Sequence, residues 1–387
     1  MEERIEEVFA SEITRADFLK RAAATGVGLS LLSGLEAAGA LGADTATQTV
    51  RWISPRGTLD VMDDFDLWVP VKQGYFSKLG ITAKLIGGPI GDALACTKFV
   101  AQNQADMGYP SPGVLTASID SGIAVKSIWD MISGQVFDFA LPTNSTIKSV
   151  ADLKGKKIAL GSAGWSTIVD PILVGAGVDP KSVHYVNAGN QWAQATESGQ
   201  ADAGLAWEGL RAQWAGQGLK LKYLIGTKFS KQPSNVYSVR ASDLSDKAKV
   251  DLYTRFLQGM IMGLEFAKAN PRAAAQITYT SRPALQKSLK PQAAYDSFLE
   301  LAEAYGTSHR AGQGWGYHSP GGWSGYLAVV HKLGQTKKLL SASDVYTNDL
   351  VKAANAKADK AKAIADAKAF KLNAAFQAVD PRTPHIG

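Results

Sequence analysis

The stretch with the clearest chemical potential is a run of glycines and hydroxyls that follows an apolar strand pattern. Residues 150–160 read as a polar turn that leads into a short apolar strand, and residues 161–167 read Gly-Ser-Ala-Gly-Trp-Ser-Thr. Backbone N–H groups at a helix start carry partial positive charge and can together bind one anion, to which Ser162 and Ser166 could donate from their hydroxyls. The pattern predicts either such a ligand-binding loop or an ordinary helix cap. It is not a nucleotide-binding P-loop, because no Gly-Lys-Ser or Gly-Lys-Thr follows it.

Polar groups also follow other predicted strands, at the sheet edge where parallel sheets bind ligands. Arg56 and Thr58 come after the strand pattern of residues 49–54, and Gly88 comes after that of residues 81–86. The guanidinium of Arg56 could make a bidentate contact with a carboxylate or a sulfonate, although a surface arginine would look the same in the sequence. These loops are therefore candidate ligand contacts.

Two further candidates lie at strand ends. Ser111 stands between Pro110 and Pro112, where a rigid backbone could hold its hydroxyl towards a ligand or simply form a tight turn. Asn187 ends the strand pattern of residues 183–186 and could contact a ligand or cap the next helix.

Tryptophans supply the third kind of candidate. The chain has nine, and Trp129, Trp165 and Trp207 fall at predicted strand ends or in loops. Aromatic walls suit a planar or partly apolar ligand. Because most tryptophans are core residues, we favour Trp165 and Trp207 as ligand contacts and rank Trp129 below them. Glu208, next to Trp207, could bind a ligand amine or form a salt bridge that closes the lobes.

No motif in the sequence makes a case for catalysis or for a cofactor. The five histidines show no metal-ligand spacing, and the single cysteine, Cys96, allows neither an internal disulfide nor a cysteine metal cluster. No Gly-x-Ser-x-Gly elbow occurs, and no carboxylate pair can be assigned to acid–base work. We therefore expect binding without chemistry, with no catalytic residue, no metal and no cofactor.

Composition is that of a soluble globular protein, with 45% hydrophobic and 20% charged residues. The formal net charge is +6, and much of the excess lies in residues 352–371. A nucleic-acid-binding protein would need a basic stripe and a groove-reading motif, and the sequence shows neither. Nucleic acid is therefore not an expected partner.

The elements that must position these groups alternate between strand and helix, which indicates parallel sheets flanked by helices. A chain of 387 residues is too long for one ordinary domain, so we expect two lobes. The predicted boundaries are 48–140 plus 238–345 for the first lobe, 141–237 for the second lobe and 346–387 for a C-terminal helix and tail. Two crossings between the lobes would form a hinge and a cleft that can close.

The sequence also predicts two helices, one early in the chain and one near its C-terminus. Residues 65–76 have an amphipathic pattern and predict one helix. Residues 353–376, rich in Ala, Lys and Asp, predict one long helix that lies exposed along the body.

Residues 1–43 have the layout of an export signal, with a basic segment, an apolar segment and small residues suited to cleavage. The segment resembles the twin-arginine class, but Ala16 replaces the second arginine and Glu36 interrupts the apolar part. A cytoplasmic N-terminal helix is the alternative. The expected location of the mature protein is the periplasm.

Three short motifs carry a family resemblance. Residues 152–158 read Asp-Leu-Lys-Gly-Lys-Lys-Ile, residues 199–203 read Gly-Gln-Ala-Asp-Ala, and residues 104–108 read Gln-Ala-Asp-Met-Gly. Their order resembles that of periplasmic substrate-binding proteins of ABC importers, in the branch that binds nitrate, sulfonates, taurine or the pyrimidine precursor of thiamine. The resemblance implies an α/β fold with two periplasmic-binding-protein-like lobes, each a mostly parallel sheet flanked by helices, and two hinge crossings.

The same resemblance implies a function. It favours a ligand-facing position for residues 161–167, and it implies a monomeric solute-binding protein that captures a small anionic or aromatic molecule and delivers it to an ABC permease at the inner membrane. Two alternatives stay open. One is an enzyme of the same fold in pyrimidine- or quinone-precursor metabolism, although the similar fungal pyrimidine-forming enzyme relies on a cysteine cluster that is absent here. The other is a periplasmic sensor.

Overall fold

The computed structural model describes residues 47–88, 94–134, 136–229 and 232–382. The predicted export signal, at residues 1–43, lies outside the described residues. Within the described ranges, no helix is both long enough and apolar enough to cross a bilayer.

The first sheet has five strands in the order β2-β1-β3-β10-β4. β1, β2, β3 and β4 all run parallel to one another, and β10 lies antiparallel between β3 and β4. The strands are β1 (Gln48–Ile53), β2 (Ile81–Ile86), β3 (Met107–Gly108), β4 (Val125–Asp130) and β10 (Val236–Arg240).

Helices connect the parallel strands of this sheet, as parallel pairing requires. They are α1 (Phe65–Lys72), α2 (Tyr75–Lys78), α3 (Ala95–Ala101) and α4 (Pro112–Asp120). The prediction of a single helix over residues 65–76 is wrong, because the helix is interrupted between α1 and α2. Gly74 has a φ of 69°, a left-handed conformation that ends one helix and starts the next.

The second sheet also has five strands, in the order β7-β6-β8-β5-β9. β5 is antiparallel to both of its neighbours, and the other pairs are parallel. The strands are β5 (Phe137–Pro142), β6 (Lys157–Leu160), β7 (His184–Asn187), β8 (Ala203–Trp207) and β9 (Leu221–Leu224), and the helices are α5 (Ser166–Gly175), α6 (Trp192–Glu197), α7 (Leu210–Gly216) and α8 (Gly226–Phe229).

The chain passes from the first sheet to the second between β4 and β5, and it returns between β9 and β10. Each sheet therefore receives one antiparallel strand directly from a crossing. The second sheet begins at Phe137, and the first sheet resumes at Val236. The lobe boundaries at 140/141 and at 237/238 stay predictions.

Helices make up most of the chain after β10. They are α9 (Lys247–Ala269), α10 (Pro271–Ser281), α11 (Pro283–Ser288), α12 (Pro291–Gly306), α13 (Pro320–Lys332), α14 (Ala342–Val345), α15 (Asp349–Lys357), α16 (Lys360–Ala369) and α17 (Ala374–Gln377). α10, α11, α12 and α13 each begin with a proline, which suits the first helical position because its N–H is not needed there.

The prediction of one exposed helix over residues 353–376 is wrong in two ways. The segment is divided among α15, α16 and α17. α15 and α16 pack against α9, and α17 packs against α10 and α12. Val351, Ala354, Ala363 and Ala367 are each fully buried. Alanine at regular spacing lets two helix backbones approach closely, so little side-chain surface is enough to dock these helices.

Candidate functional site

A cavity of about 70 Å³ lies between the two sheets. Residues of both lobes line it: Pro55, Arg56, Asp63, Tyr109, Ser111, Val114, Asn235, Leu301 and Tyr305 from the first lobe and its helices, and Val136, Phe137, Trp165, Ile168, Leu205 and Trp207 from the second. The volume is enough for several water molecules, and the lining is mostly apolar and aromatic. This is the usual composition of a small-molecule pocket.

On the side of the first lobe, Arg56 lies in the loop after β1. Its Nη1 is 3.4 Å from Oδ2 of Asp63, and its Nη2 forms a short ion pair with Oδ1 of Asp64. The guanidinium also lies 5.6 Å from the ring centre of Tyr109. Arg56 is the only arginine among the described residues that line the cavity. Its guanidinium is shared between two carboxylates.

Asp63 is also buried, with 5% of its surface exposed. Its Oδ2 accepts a 3.0 Å hydrogen bond from Nε1 of Trp207, across the gap between the lobes. Burial raises the pKa of Asp63 to about 6, and the guanidinium of Arg56 opposes that rise. The carboxylate is therefore mostly ionised at neutral pH.

Two tyrosines and an asparagine complete this side. The Tyr305 hydroxyl donates a 2.8 Å hydrogen bond to the backbone oxygen of Asp63, and the Tyr109 and Tyr305 hydroxyls are 3.3 Å apart. Oδ1 of Asn235, at the second crossing, is buried and has no hydrogen-bond partner among the described residues. It is an acceptor that a bound molecule could satisfy.

The second lobe contributes an aromatic wall. The rings of Trp165 and Trp207 lie 5.8 Å apart, edge to face, and Trp192 stacks on Trp207 at 6.2 Å. Nε1 of Trp192 donates to the backbone oxygen of Leu205, which fixes the ring against its own sheet. Trp165 and Trp207 are thus held by packing before any ligand arrives.

The glycine and hydroxyl stretch, residues 161–167, lies at the boundary between the lobes. A Cβ on Gly113, at the start of α4, would lie 2.7 Å from the backbone oxygen of Thr167, so the starts of α4 and α5 touch. Of the stretch, only Trp165 lines the cavity; Ser162 and Ser166 are half-buried outside it. The cavity is therefore bordered at the starts of α4 and α5 by Ser111 and Trp165, and not by the hydroxyls of Ser162 and Ser166.

Four of the residues predicted as ligand contacts line the cavity together: Arg56, Ser111, Trp165 and Trp207. Ser111 also caps α4, where its hydroxyl accepts a 3.3 Å hydrogen bond from the N–H of Val114. Their roles as ligand contacts stay predictions.

Three other residues predicted as ligand contacts, Thr58, Gly88 and Asn187, do not line the cavity. Thr58 is exposed and bonds within its own loop to Asp60. Gly88 packs against the backbone of Ser54, where a Cβ would lie 2.1 Å from the carbonyl oxygen. Asn187 is exposed at the end of β7.

Trp129 and Glu208 are also placed away from the cavity. Trp129 is fully buried, and Gly316 packs on its ring. Oε2 of Glu208 lies 2.6 Å from Nη2 of Arg211. Nη1 of the same arginine lies 2.7 Å from Oδ2 of Asp138, and its Nε lies 3.5 Å from Oε1 of Glu300 on α12. Glu208 therefore belongs to an ion-pair cluster in which Arg211 joins the second lobe to α12. Both roles considered for Glu208, binding a ligand amine and closing the lobes, stay predictions.

Sequence reasoning missed Asp63, Tyr109, Asn235 and Tyr305. The adjacent carboxylates Asp63 and Asp64 in a loop that follows a strand were a usable signal for the first of these. Tyr305 had no such signal in the sequence, because it lies at the end of a helix far along the chain.

A profile of the NMT1/THI5-like family matches residues 66–274, which is more than half of the chain. A Haemophilus influenzae protein named for thiamine biosynthesis is 27% identical over 136 residues. That match covers 35% of this chain and 43% of the relative, so the chain aligns with less than half of that protein's length.

Solved structures share the fold. The alkanesulfonate-binding protein SsuA of Xanthomonas axonopodis pv. citri, bound to MOPS, superposes with a TM-score of 0.59 at 14% identity, over 78% of this chain and 100% of that one. The ligand-binding component of an ABC-type import system of Staphylococcus aureus, with zinc bound, superposes with a TM-score of 0.58 at 13% identity, over 81% and 99% of the two chains. These likenesses confirm the two-lobed periplasmic-binding-protein fold. The chain belongs to the NMT1/THI5-like family.

Proposed function

We propose that this chain is a solute-binding protein of the periplasm that captures a small molecule between its lobes and delivers it to an ABC permease at the inner membrane. The observation that carries the proposal is the cavity, since residues of both sheets line it and a ligand there would contact both lobes at once. A ligand that has more contacts in the closed state than in the open state drives closure. The protein acts as a monomer, and the closed pair of lobes forms the surface that the permease binds.

The lining favours an aromatic ligand over a simple anion. Trp165, Trp207 and Tyr109 offer ring faces and edges. Nη1 and Nη2 of Arg56 are already paired with carboxylates, and only its Nε is left without a partner among the described residues. Planar rings gain from such walls both through buried area and through stacking. We therefore place a flat ring between the two aromatic sides of the cavity.

A thermal-shift screen tests the proposal. The compounds are pyrimidines and aromatic carboxylates, with sulfonates and nitrate as simple anions. A ligand at 100 times its dissociation constant should add about 2.7 kcal/mol to the free energy of unfolding. Failure of every class to shift the melting temperature would contradict solute binding at this cavity.

An enzyme of the same fold is the second candidate, and the name of the Haemophilus influenzae relative favours it. The described residues that line the cavity include no Cys, His or Lys, so a base or a nucleophile would have to come from groups such as Asp63 or Ser111. Incubating the protein with each compound that shifts its melting temperature, and analysing the mixture by mass spectrometry, separates the two. A binding protein returns the compound unchanged, and an enzyme does not.

A further inference from the structure

The start of α7, in the second lobe, is covered by α12, one of the helices of the first lobe. Oε2 of Glu300, on α12, accepts hydrogen bonds of 3.0 Å and 3.3 Å from the backbone N–H groups of Gly209 and Ala212. Oγ of Ser297, one turn earlier, donates a 2.8 Å hydrogen bond to the backbone oxygen of Gly209. The cap of α7 is therefore supplied by a side chain of the other lobe.

The same helix is also fixed to the first lobe. The rings of Phe298 and of Phe65, on α1, lie 4.8 Å apart, edge to face, and the Tyr305 hydroxyl donates to the backbone oxygen of Asp63. Because α12 contacts both lobes, a movement of the lobes apart must break one of the two sets of contacts. The contacts with α1 bury aromatic rings, whereas those with α7 depend on a carboxyl group that is kept out of water.

Glu300 also belongs to a buried cluster, here called the latch cluster, in which Asp138, Glu208 and Glu300 share Arg211. Each of the four residues has at most 6% of its surface exposed. Glu300 is the only member from the first lobe, and its Oε1 lies 3.5 Å from Nε of Arg211. Neither of these two atoms makes a hydrogen bond among the described residues. The contact between the lobes is therefore the loosest in the latch cluster, since Asp138 and Glu208 lie 2.7 Å and 2.6 Å from the guanidinium.

The charge of the latch cluster depends on pH. With all four groups ionised, three carboxylates would surround one guanidinium, which leaves an excess of about two negative charges. Burial raises the pKa of Asp138 to about 6 and the pKa values of Glu208 and Glu300 to about 7, and Arg211 opposes each rise. The buried cluster therefore holds protons near neutral pH that hydrated carboxyl groups would have released.

Two further titratable groups act on the latch cluster. Tyr223, on β9, faces Asp138 and Glu300, and burial raises its pKa, so it stays neutral. Glu303, exposed on α12, raises the pKa of Glu208 further. Neither group supplies a positive charge, so Arg211 alone offsets the carboxylates of the cluster.

We propose that the latch cluster holds the two lobes together in the absence of ligand, and that the loss of its protons at rising pH lets α12 separate from α7 and the lobes open. An acid whose pKa is higher in the closed state than in the open state favours closure at low pH. That advantage is lost as the pH rises towards the raised value of about 7. The latch acts on the protein itself, whichever molecule enters the cavity, and so goes beyond the proposed function.

Hydrogen–deuterium exchange of the ligand-free protein at about pH 5.5 and about pH 8 tests the inference. The N–H groups of Gly209 and Ala212 donate directly to Glu300, so their protection reports on the latch. After correction for intrinsic exchange rates, the protection factor of residues 209–212 should be at least about tenfold lower at the higher pH, since one pKa unit corresponds to tenfold. Residues 257–264, buried on α9, should keep their protection. Small-angle scattering should show a larger radius of gyration at the higher pH.

Three variants separate the proton effect from simple loosening. Glu300→Gln keeps the shape and an acceptor oxygen but cannot ionise, so it should remove most of the pH response. Ser297→Ala removes a hydrogen bond to Gly209 and no titratable group, so it should lower protection at both pH values and keep the response. Asp251→Asn, at an exposed position on α9, is the control and should behave as the wild type.

Three results would overturn the inference. They are equal protection of residues 209–212 at the two pH values in the wild type, a pH response that persists in Glu300→Gln, and a loss of protection that is equally large in residues 257–264. The last of these would mean that pH loosens the whole fold and not this junction. No ligand is present in any of these experiments, so the failure of the latch and the failure of solute binding are distinguishable.

Discussion

Nε1 of Trp207, at the end of β8 in the second sheet, donates a 3.0 Å hydrogen bond to Oδ2 of Asp63, in the loop that follows β1 in the first sheet. The bond crosses the cavity between the lobes and joins an aromatic wall to the main carboxylate of the site. Beside it, Tyr305 donates to the backbone oxygen of Asp63. The position of this loop therefore depends on both the second lobe and α12.

Trp207→Phe should loosen the closed state. The variant keeps most of the ring and removes the N–H, so it loses a hydrogen bond to a charged group, a loss of about 1.5–3 kcal/mol in the free energy of unfolding. Small-angle scattering without ligand should show a larger radius of gyration than that of the wild type.

Trp192→Phe is the matched control for that experiment. Nε1 of Trp192 donates to the backbone oxygen of Leu205 within the second lobe, so its loss should lower stability without opening the lobes. An equal increase in radius for both variants would show that the bond from Trp207 to Asp63 has no special part in closure.

Trp165→Ala should reduce the thermal shift produced by any ligand of the cavity while leaving the fold intact. The side chain is half-buried and lines the cavity, so its removal takes away contact with a bound ring. Trp68→Ala, at a half-buried tryptophan that packs beside Arg282 and away from the cavity, should keep the full shift. The same shift in Trp165→Ala as in the wild type would remove Trp165 from the site.

Gly209→Ala should be strongly destabilising, because two costs add. Gly209 has a φ of 89°, and a Cβ there would lie 2.7 Å from the side chain of Leu301 on α12. Gly218 has a φ of 94° and open space around it, so Gly218→Ala has only the backbone cost, about 1–2 kcal/mol. Urea unfolding should show Gly209→Ala to be less stable than Gly218→Ala by about 1–3 kcal/mol. Equal losses of stability in the two variants would mean that α12 moves to accommodate the new methyl group.

Glu208→Gln should change how stability depends on pH. Burial, together with the nearby Asp138, raises the pKa of Glu208 to about 7, and the contact with Arg211 opposes this rise. Since the pKa is higher in the folded state than in the unfolded state, the contribution of Glu208 is present at low pH and is lost as the pH rises through about 7. The free energy of unfolding of the wild type, relative to that of Glu208→Gln, should therefore fall between about pH 5 and about pH 8. Asp251→Asn, at an exposed position on α9, is the control, and a flat difference would contradict the raised pKa.

The alternation of strands and helices was predictable wherever an element has its own local pattern. β5 was not predicted as a strand, since Asp138 and Pro142 interrupt its apolar run. In the structure Asp138 is buried but paired with Arg211, and Pro142 is at the strand end. The compensation for a buried charge lies far along the chain, where a local pattern cannot show it.

The site was predictable only where a side chain follows a strand directly. Trp207 ends β8 and was expected to face the ligand, and it does line the cavity. Its partner Asp63 lies 144 residues away along the chain. Trp129 also follows the pattern of a strand end, but Gly316 comes from a distant loop and covers its ring. Which strand ends face the cavity depends on such long-range packing.

Hydrogen–deuterium exchange, with and without the ligand that gives the largest thermal shift, distinguishes binding between the lobes from binding elsewhere on the protein. Binding between the lobes predicts slower amide exchange in one segment of each lobe, residues 107–114 and residues 203–209, because both contribute to the lining of the cavity. Slower exchange in only one of these segments, or only at positions remote from the cavity, would contradict capture of the ligand between the two sheets.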